Sequence, residues 1–242
     1  MFVNQRLVYL ELHKTGCTQV DELLSRLVDG RQIGKHNRLD FDPGERRVIG
    51  SIRSPWAWYV SLWAFGCEGK GEVFDNTVTA RRARARAWRA CYEDVHDPDL
   101  FRSWLLRVLD PDHARDVLPQ FAATRLSRHA GLLTYRYLWL YSRRPRGLKR
   151  LREAELARFD DEQNLLTDVI RNEQLESDLV AALRRAGYTL EQDQLAGLGE
   201  MPRTNVSEHG PVGRYYDAST AELVRERDRL IVEKYGYAFT PS

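Results

Sequence analysis

Two short stretches of this sequence bring cations, hydroxyls and a helix start together. His13-Lys14-Thr15-Gly16-Cys17-Thr18 follows an apolar run and precedes a helical pattern. Unpaired backbone N–H groups at such a junction, with the positive end of the helix dipole, favour an anion, and Lys14, Thr15 and Thr18 add side-chain donors. The GxxxxGK[ST] spacing is missing and the lysine precedes the glycine, which argues against a Mg²⁺-nucleotide loop. The plain alternative is an ordinary strand-to-helix turn with a solvated lysine. The second stretch is Arg53-Ser54-Pro55 with Ser61 eight residues beyond Arg53, a guanidinium at a strand tip and a hydroxyl on the following helix. Such a pair can hold a phosphate from two sides, Arg53 supplying forked, charge-assisted hydrogen bonds. Its alternative is a helix cap plus a Ser61 hydroxyl bonded to the helix backbone. Two anion loops at two strand ends point to a ligand with separated anionic groups.

Other polar clusters read as structural. Asp97, Asp99, Asp110, Asp112, His96 and His113 surround two Asp-Pro turns, where helix capping accounts for the aspartates better than metal ligation does. The run Arg81 to Arg89 places Arg82, Arg86 and Arg89 on one helix face and Ala83, Ala87 and Ala90 on another. It is a solvated basic face or, on the sharper reading, a contact for an acidic acceptor. Trp56, Trp58, Tyr59 and Trp63 could stack on a ligand, but burial against the sheet suits most of them better.

The elements that must carry these residues alternate. Arg6–Leu12 reads as a strand, and Val20, Leu23, Leu24, Leu27 and Val28 form the apolar face of a helix capped by Thr18 and ended by Gly30. Arg47–Ile52 reads as a buried strand, with Ser54 as cap and Pro55 opening the next helix. Two further helices are predicted between about Thr77 and Leu109, while Leu132–Tyr141 is ambiguous between strand and buried helix. Leu165–Arg171 reads as a third strand, followed by a helix on Leu175, Leu179, Val180 and Leu183. Leu190–Gly213 reads as a long loop, and a last helix starts at a Ser219/Glu222 capping box and stops at Gly236. Strands alternating with helices predict an α/β fold, a central parallel sheet flanked by helices with a helix-rich middle insertion, in a single domain over residues 1–242.

Composition narrows the classes. With 242 residues, 43% of them hydrophobic, the chain can bury a real core, and 37 Lys+Arg against 35 Asp+Glu exclude a globally basic nucleic-acid coat. No apolar run is long enough for a membrane span, Met1 to Leu12 lacks a secretory signal core, and a cytoplasmic location is the default expectation. Cys17, Cys67 and Cys91 have no CxxC spacing and read as reduced thiols.

Taken together, the motifs resemble the sulfotransferases that use 3′-phosphoadenosine-5′-phosphosulfate (PAPS), especially the carbohydrate O-sulfotransferase branch, in a bacterial type. Tyr9 to Thr18 is similar to that family's 5′-phosphosulfate loop, with His13 where proline is usual and Cys17 where glycine or alanine is usual. Ile52-Arg53-Ser54-Pro55 with Ser61 resembles its 3′-phosphate motif, Ser54 standing where aspartate is commoner. Ile170 to Leu175 with Asp178 resembles its later strand-to-helix segment, and Asp228 to Tyr237 its C-terminal helix, so the likeness spreads over the whole chain.

The resemblance implies a P-loop-like fold and metal-free sulfuryl transfer from PAPS to an acceptor hydroxyl, leaving 3′,5′-ADP (PAP). The acceptor would be a carbohydrate or glycosylated small molecule, with a lipid or other natural product second, and no nucleic-acid partner. Lys14 would attend the leaving phosphate; Thr15, Gly16, Cys17 and Thr18 would cradle the 5′-phosphosulfate, and Arg53 and Ser61 the 3′-phosphate. Arg203, Thr204 and Asn205 lie where the family closes over the donor. His36 is the first choice of general base, with His209, Glu208 and Glu11 as rivals. A nucleotide kinase and a non-catalytic nucleotide-binding protein are the readings from other classes.

Overall fold

The computed structural model describes residues 1–79, 82–199 and 208–241. In chain order it carries β1 (Phe2–Val3), β2 (Leu7–Leu10), α1 (Cys17–Leu27), β3 (Arg31–Gln32), β4 (Arg47–Ile52) and α2 (Pro55–Cys67). There follow α3 (Glu72–Val78), α4 (Arg82–Ala90), α5 (Pro98–Leu109), α6 (Ala114–Val117), α7 (Pro119–Ala122) and α8 (Leu132–Tyr141). The last part holds α9 (Leu156–Gln163), β5 (Asp168–Arg171), α10 (Leu175–Arg185), α11 (Gln192–Gly199), α12 (Ala218–Arg227) and α13 (Arg229–Tyr235). Two compact units divide the chain: Met1–Arg53, Leu140–Arg143 and Gln163–Val206 in one, Ser54–Trp139, Arg144–Glu162 and Ser207–Ser242 in the other. Each unit is assembled from three separate segments, which is why no linker is legible in the sequence.

The first unit is an α/β layer whose sheet order is β3-β1-β2-β4-β5. β2, β4 and β5 are parallel, with Leu10 beside Gly50 and Ile52 beside Arg171, so their carboxyl ends lie along one edge. The sheet is mixed rather than wholly parallel, because β1 runs antiparallel to both β2 and β3. Asn4 makes that reversal: its side-chain carbonyl accepts from the N–H groups of Arg6 and Leu7, each at 2.9 Å. Leu23 and Leu24 of α1 share a core with Leu179 and Leu183 of α10, over Tyr9, Ile49 and Ile170 of the sheet. Gly50 admits the Tyr141 ring, which an added Cβ would meet at 2.7 Å. Gly30 does not end α1 by a left-handed turn; Val28 is the C-cap, and Gly30 makes room for Phe2.

β5 is shorter than the predicted strand. Leu165 and Leu166 are held instead by Tyr141 O and Asn164 Oδ1 in the approach to it. Its first residue, Asp168, is buried between Arg47 and Arg185, and the donors of Arg47, Arg185 and Thr167 outweigh burial to hold its carboxyl below the usual carboxylate range. The predicted loop after Leu190 contains α11, whose Leu198 joins the core.

The second unit is helical. Leu132–Tyr141 forms a helix, and Trp56, Trp58, Tyr59 and Trp63 are all buried, Trp63 donating to Cys91 O at 2.7 Å. Asp97 and Asp110 cap helical turns by accepting from Asp99 N and Asp112 N. Ser54 is the N-cap of α2 by position but makes no side-chain cap bond. Asp217 rather than Ser219 caps α12, pairing with Thr220, and Glu222 turns instead to Arg225. The last helix is broken at Asp228, whose buried carboxylate accepts from Tyr59 Oη (2.7 Å) and from the N–H (2.8 Å) and hydroxyl (2.7 Å) of Thr134. In α4 Ala85 and Trp88 are buried, and Arg84, Arg86 and Arg89 are exposed. Among the described residues no helix is long and apolar enough to cross a membrane.

Candidate functional site

The site is built on the first unit, where β2 ends at Leu10 and the chain crosses to α1. The crossing needs two left-handed residues, Lys14 (φ 63°) and Gly16 (φ 77°), and Gly16 is the N-cap of α1, so helix N–H groups open onto this loop. Glycine is required at the second: a Cβ there would lie 2.5 Å from Asn172 Nδ2 and 2.9 Å from Leu175 Cδ1. The helix starts at Cys17, one residue before the predicted Thr18 cap, with no side-chain cap bond.

The loop is pinned from beneath by hydroxyls. Thr15 Oγ1 donates to Leu12 O (2.7 Å), so the 2.6 Å contact with Ser51 Oγ is donated by Ser51, and Tyr9 Oη in turn donates to Ser51 (2.9 Å). The Thr15 hydroxyl, predicted as a ligand donor, is thus buried and already donated. From the end of β4, Arg53 Nη1 reaches the carbonyl of Lys14 at 3.4 Å, joining the two anion stretches that the sequence presents separately. Lys35 Nζ lies 3.3 Å from Thr18 Oγ1 and brings a third cation to the same helix start.

His36 also belongs here. Its Nδ1 is 3.0 Å from the carbonyl of Glu11; a carbonyl only accepts, so Nδ1 carries a proton, and in the neutral ring Nε2 is the nitrogen that can accept one. The ring stacks on His13 with centroids 3.7 Å apart and planes at 18°. One donor atom each of Glu11, Cys17 and His36 lie within 4.8 Å of one another. Glu11 is buried and bound by the Met1 amine and Gln32. Burial raises the Cys17 thiol to about 11, Glu11 and Asp21 adding to the rise against Lys35. Burial and the neighbouring Glu11 carboxylate raise Asp21 to about 7.

Lys14, Gly16, Cys17, Thr18, His36 and Arg53 are therefore gathered in one unit. Ser61 is buried on α2 of the second unit. Glu208 and His209 also belong to the second unit, His209 Nδ1 lying 2.8 Å from Gly210 O. Arg203, Thr204 and Asn205 lie outside the described residues. Lys35, Asn172 and the His13 stack escaped sequence reasoning; the only signal was the cation beside His36 and the asparagine after the third strand. Comparison with protein-family models, curated proteins and solved structures returns no match to this chain.

Proposed function

We propose that this chain is a sulfotransferase that moves a sulfuryl group from PAPS to an acceptor hydroxyl, on a carbohydrate or glycosylated small molecule. The observation that carries the reading is the bond from Arg53 to the Lys14 carbonyl. It brings the arginine of one candidate anion loop onto the lysine of the other, at the carboxyl ends of adjacent parallel strands, where such folds bind ligands. The fold belonging to this proposal is the P-loop-like one, the loop after β2 cradling the 5′ end and Arg53 serving the 3′-phosphate.

In that mechanism Lys14 stabilises the charge that grows on the bridging oxygen as the S–O bond to phosphate breaks, an interaction stronger in the transition state than before it. The N–H groups at the start of α1 hold the non-bridging oxygens. His36 accepts the acceptor proton through Nε2 while the acceptor oxygen bonds to sulfur. Its rival Glu11 is fully buried and engaged by the Met1 amine and Gln32, which suits a structural role better.

The test is calorimetry with PAP against ATP and Mg²⁺, followed by turnover of labelled PAPS over a panel of sugar and lipid acceptors. Tighter binding of PAP is expected; preference for ATP would overturn the donor assignment in favour of phosphoryl transfer, and PAP binding without turnover would favour a non-catalytic protein.

A further inference from the structure

The Glu11, Cys17 and His36 cluster has a chemistry that sulfuryl transfer does not use. Cys17 opens α1 and Asp21 lies one turn later on the same helix, so the two share a face. Glu11 stands just past β2, and His36 comes in from the loop after β3. Glu11 is fully buried; its Oε1 takes the Met1 amine and Gln32, while Oε2 has no hydrogen-bond partner among the described residues. Oδ1 of Asp21 is in the same state, and Gln32 Nε2 bridges the two carboxyl groups, 3.4 Å from Asp21 Oδ2. Buried carboxylate oxygens without donors are costly, and a proton or a cation between them removes the cost.

We propose that Glu11, Cys17 and a ring nitrogen of His36, with Asp21 beside them, bind a zinc-like divalent cation. Their donor atoms lie within 4.8 Å of one another. Tetrahedral zinc with bonds of about 2.0–2.3 Å holds its ligands about 3.3–3.8 Å apart, so the side chains close in by about 1 Å. One sulfur, one nitrogen and carboxylate oxygens suit Zn²⁺ and not Mg²⁺ or Ca²⁺, which take oxygen shells. On binding, the Cys17 S–H bond breaks, sulfur bonds to the metal and the proton leaves to solvent, so affinity rises with pH. The site is argued from these side chains alone and stands independently of the donor assignment. Where both hold, zinc engages the imidazole that accepts the acceptor proton and inhibits transfer.

The test is titration of the chelator-stripped full chain with Co²⁺, followed by displacement with Zn²⁺. A sulfur-to-cobalt charge-transfer band saturating at one equivalent and displaced by Zn²⁺ but not by Mg²⁺ is expected. Cys17→Ser abolishes that band, and Cys17→Ser and His36→Ala each weaken zinc binding at least ~10-fold in competition with a chromophoric chelator. Cys67→Ser and Cys91→Ser leave both unchanged, their thiols lying in the second unit. Absence of the band in the unmodified protein overturns the proposal without any variant having to fold, as does a band that survives Cys17→Ser or vanishes in Cys67→Ser or Cys91→Ser. PAP calorimetry on the stripped protein reports separately on the sulfotransferase reading.

Discussion

Replacing Gly16 by alanine tests the architecture of the site at its tightest point. The residue caps α1 at φ 77°, a conformation that costs an alanine about 1–2 kcal/mol. The new Cβ would lie 2.5 Å from Asn172 Nδ2 and 2.9 Å from Leu175 Cδ1, so a core leucine and the start of α10 must shift. Overpacking of that kind costs about 1–3 kcal/mol, giving a total of about 2–5 kcal/mol. That is a large part of the 5–15 kcal/mol by which domains are ordinarily stable, of order one half at the upper end. All six tryptophans lie in the second unit, so fluorescence reports on that unit, and amide hydrogen exchange along α1 and α10 is the assay that isolates the first. Gly16→Ala is expected to speed exchange there by the factor corresponding to that loss. Adding Asn172→Ala removes the nearest clash and is expected to return about 1 kcal/mol, an interaction read from the double-mutant cycle. A loss below about 1 kcal/mol for Gly16→Ala, or a double variant worse than the sum of the singles, would refute the close approach of this loop to α10.

Four further outcomes follow from the structure. Lys14→Ala should lower turnover of labelled PAPS about 100- to 1000-fold, the scale for losing one transition-state donor, with circular dichroism unchanged; His36→Ala should lower it about 100-fold or more. Asp168 is held below its ordinary pKa in the fold, so its contribution is present above about pH 4 and is lost as pH falls through the folded value. Asp168→Asn should therefore lower stability by about 1–3 kcal/mol at neutral pH and flatten the acid limb of a urea-midpoint titration. Tyr59→Phe leaves the buried Asp228 carboxylate one donor short and should cost about 1–3 kcal/mol, read as an earlier tryptophan fluorescence transition.

The sequence by itself determined the local elements that obey near-neighbour rules. The apolar face of α1 at Val20, Leu23 and Leu24 and the aspartate cap of α5 depend on residues two to four positions apart, and the buried strand Arg47–Ile52 on a short apolar run; all three are found as read. The placement of Lys14 and Arg53 just beyond strand ends was legible in the same way, since residue type and position along the chain suffice for that. Only the tertiary structure decided the rest. β1 and β3 are two residues each, too short to carry a periodicity, and exist because β1 pairs between β2 and β3; its antiparallel direction makes the sheet mixed. The helical state of Leu132–Tyr141 and the partition into two discontinuous units rest on long-range packing that no window of sequence contains. The contacts that give the site its character, Arg53 on the Lys14 carbonyl, His36 against His13, and Glu11 beside Cys17, join residues between 6 and 39 positions apart across separate turns. Spacing along a chain sets which side chains share a face, but the meeting of loops is set by the core that closes beneath them.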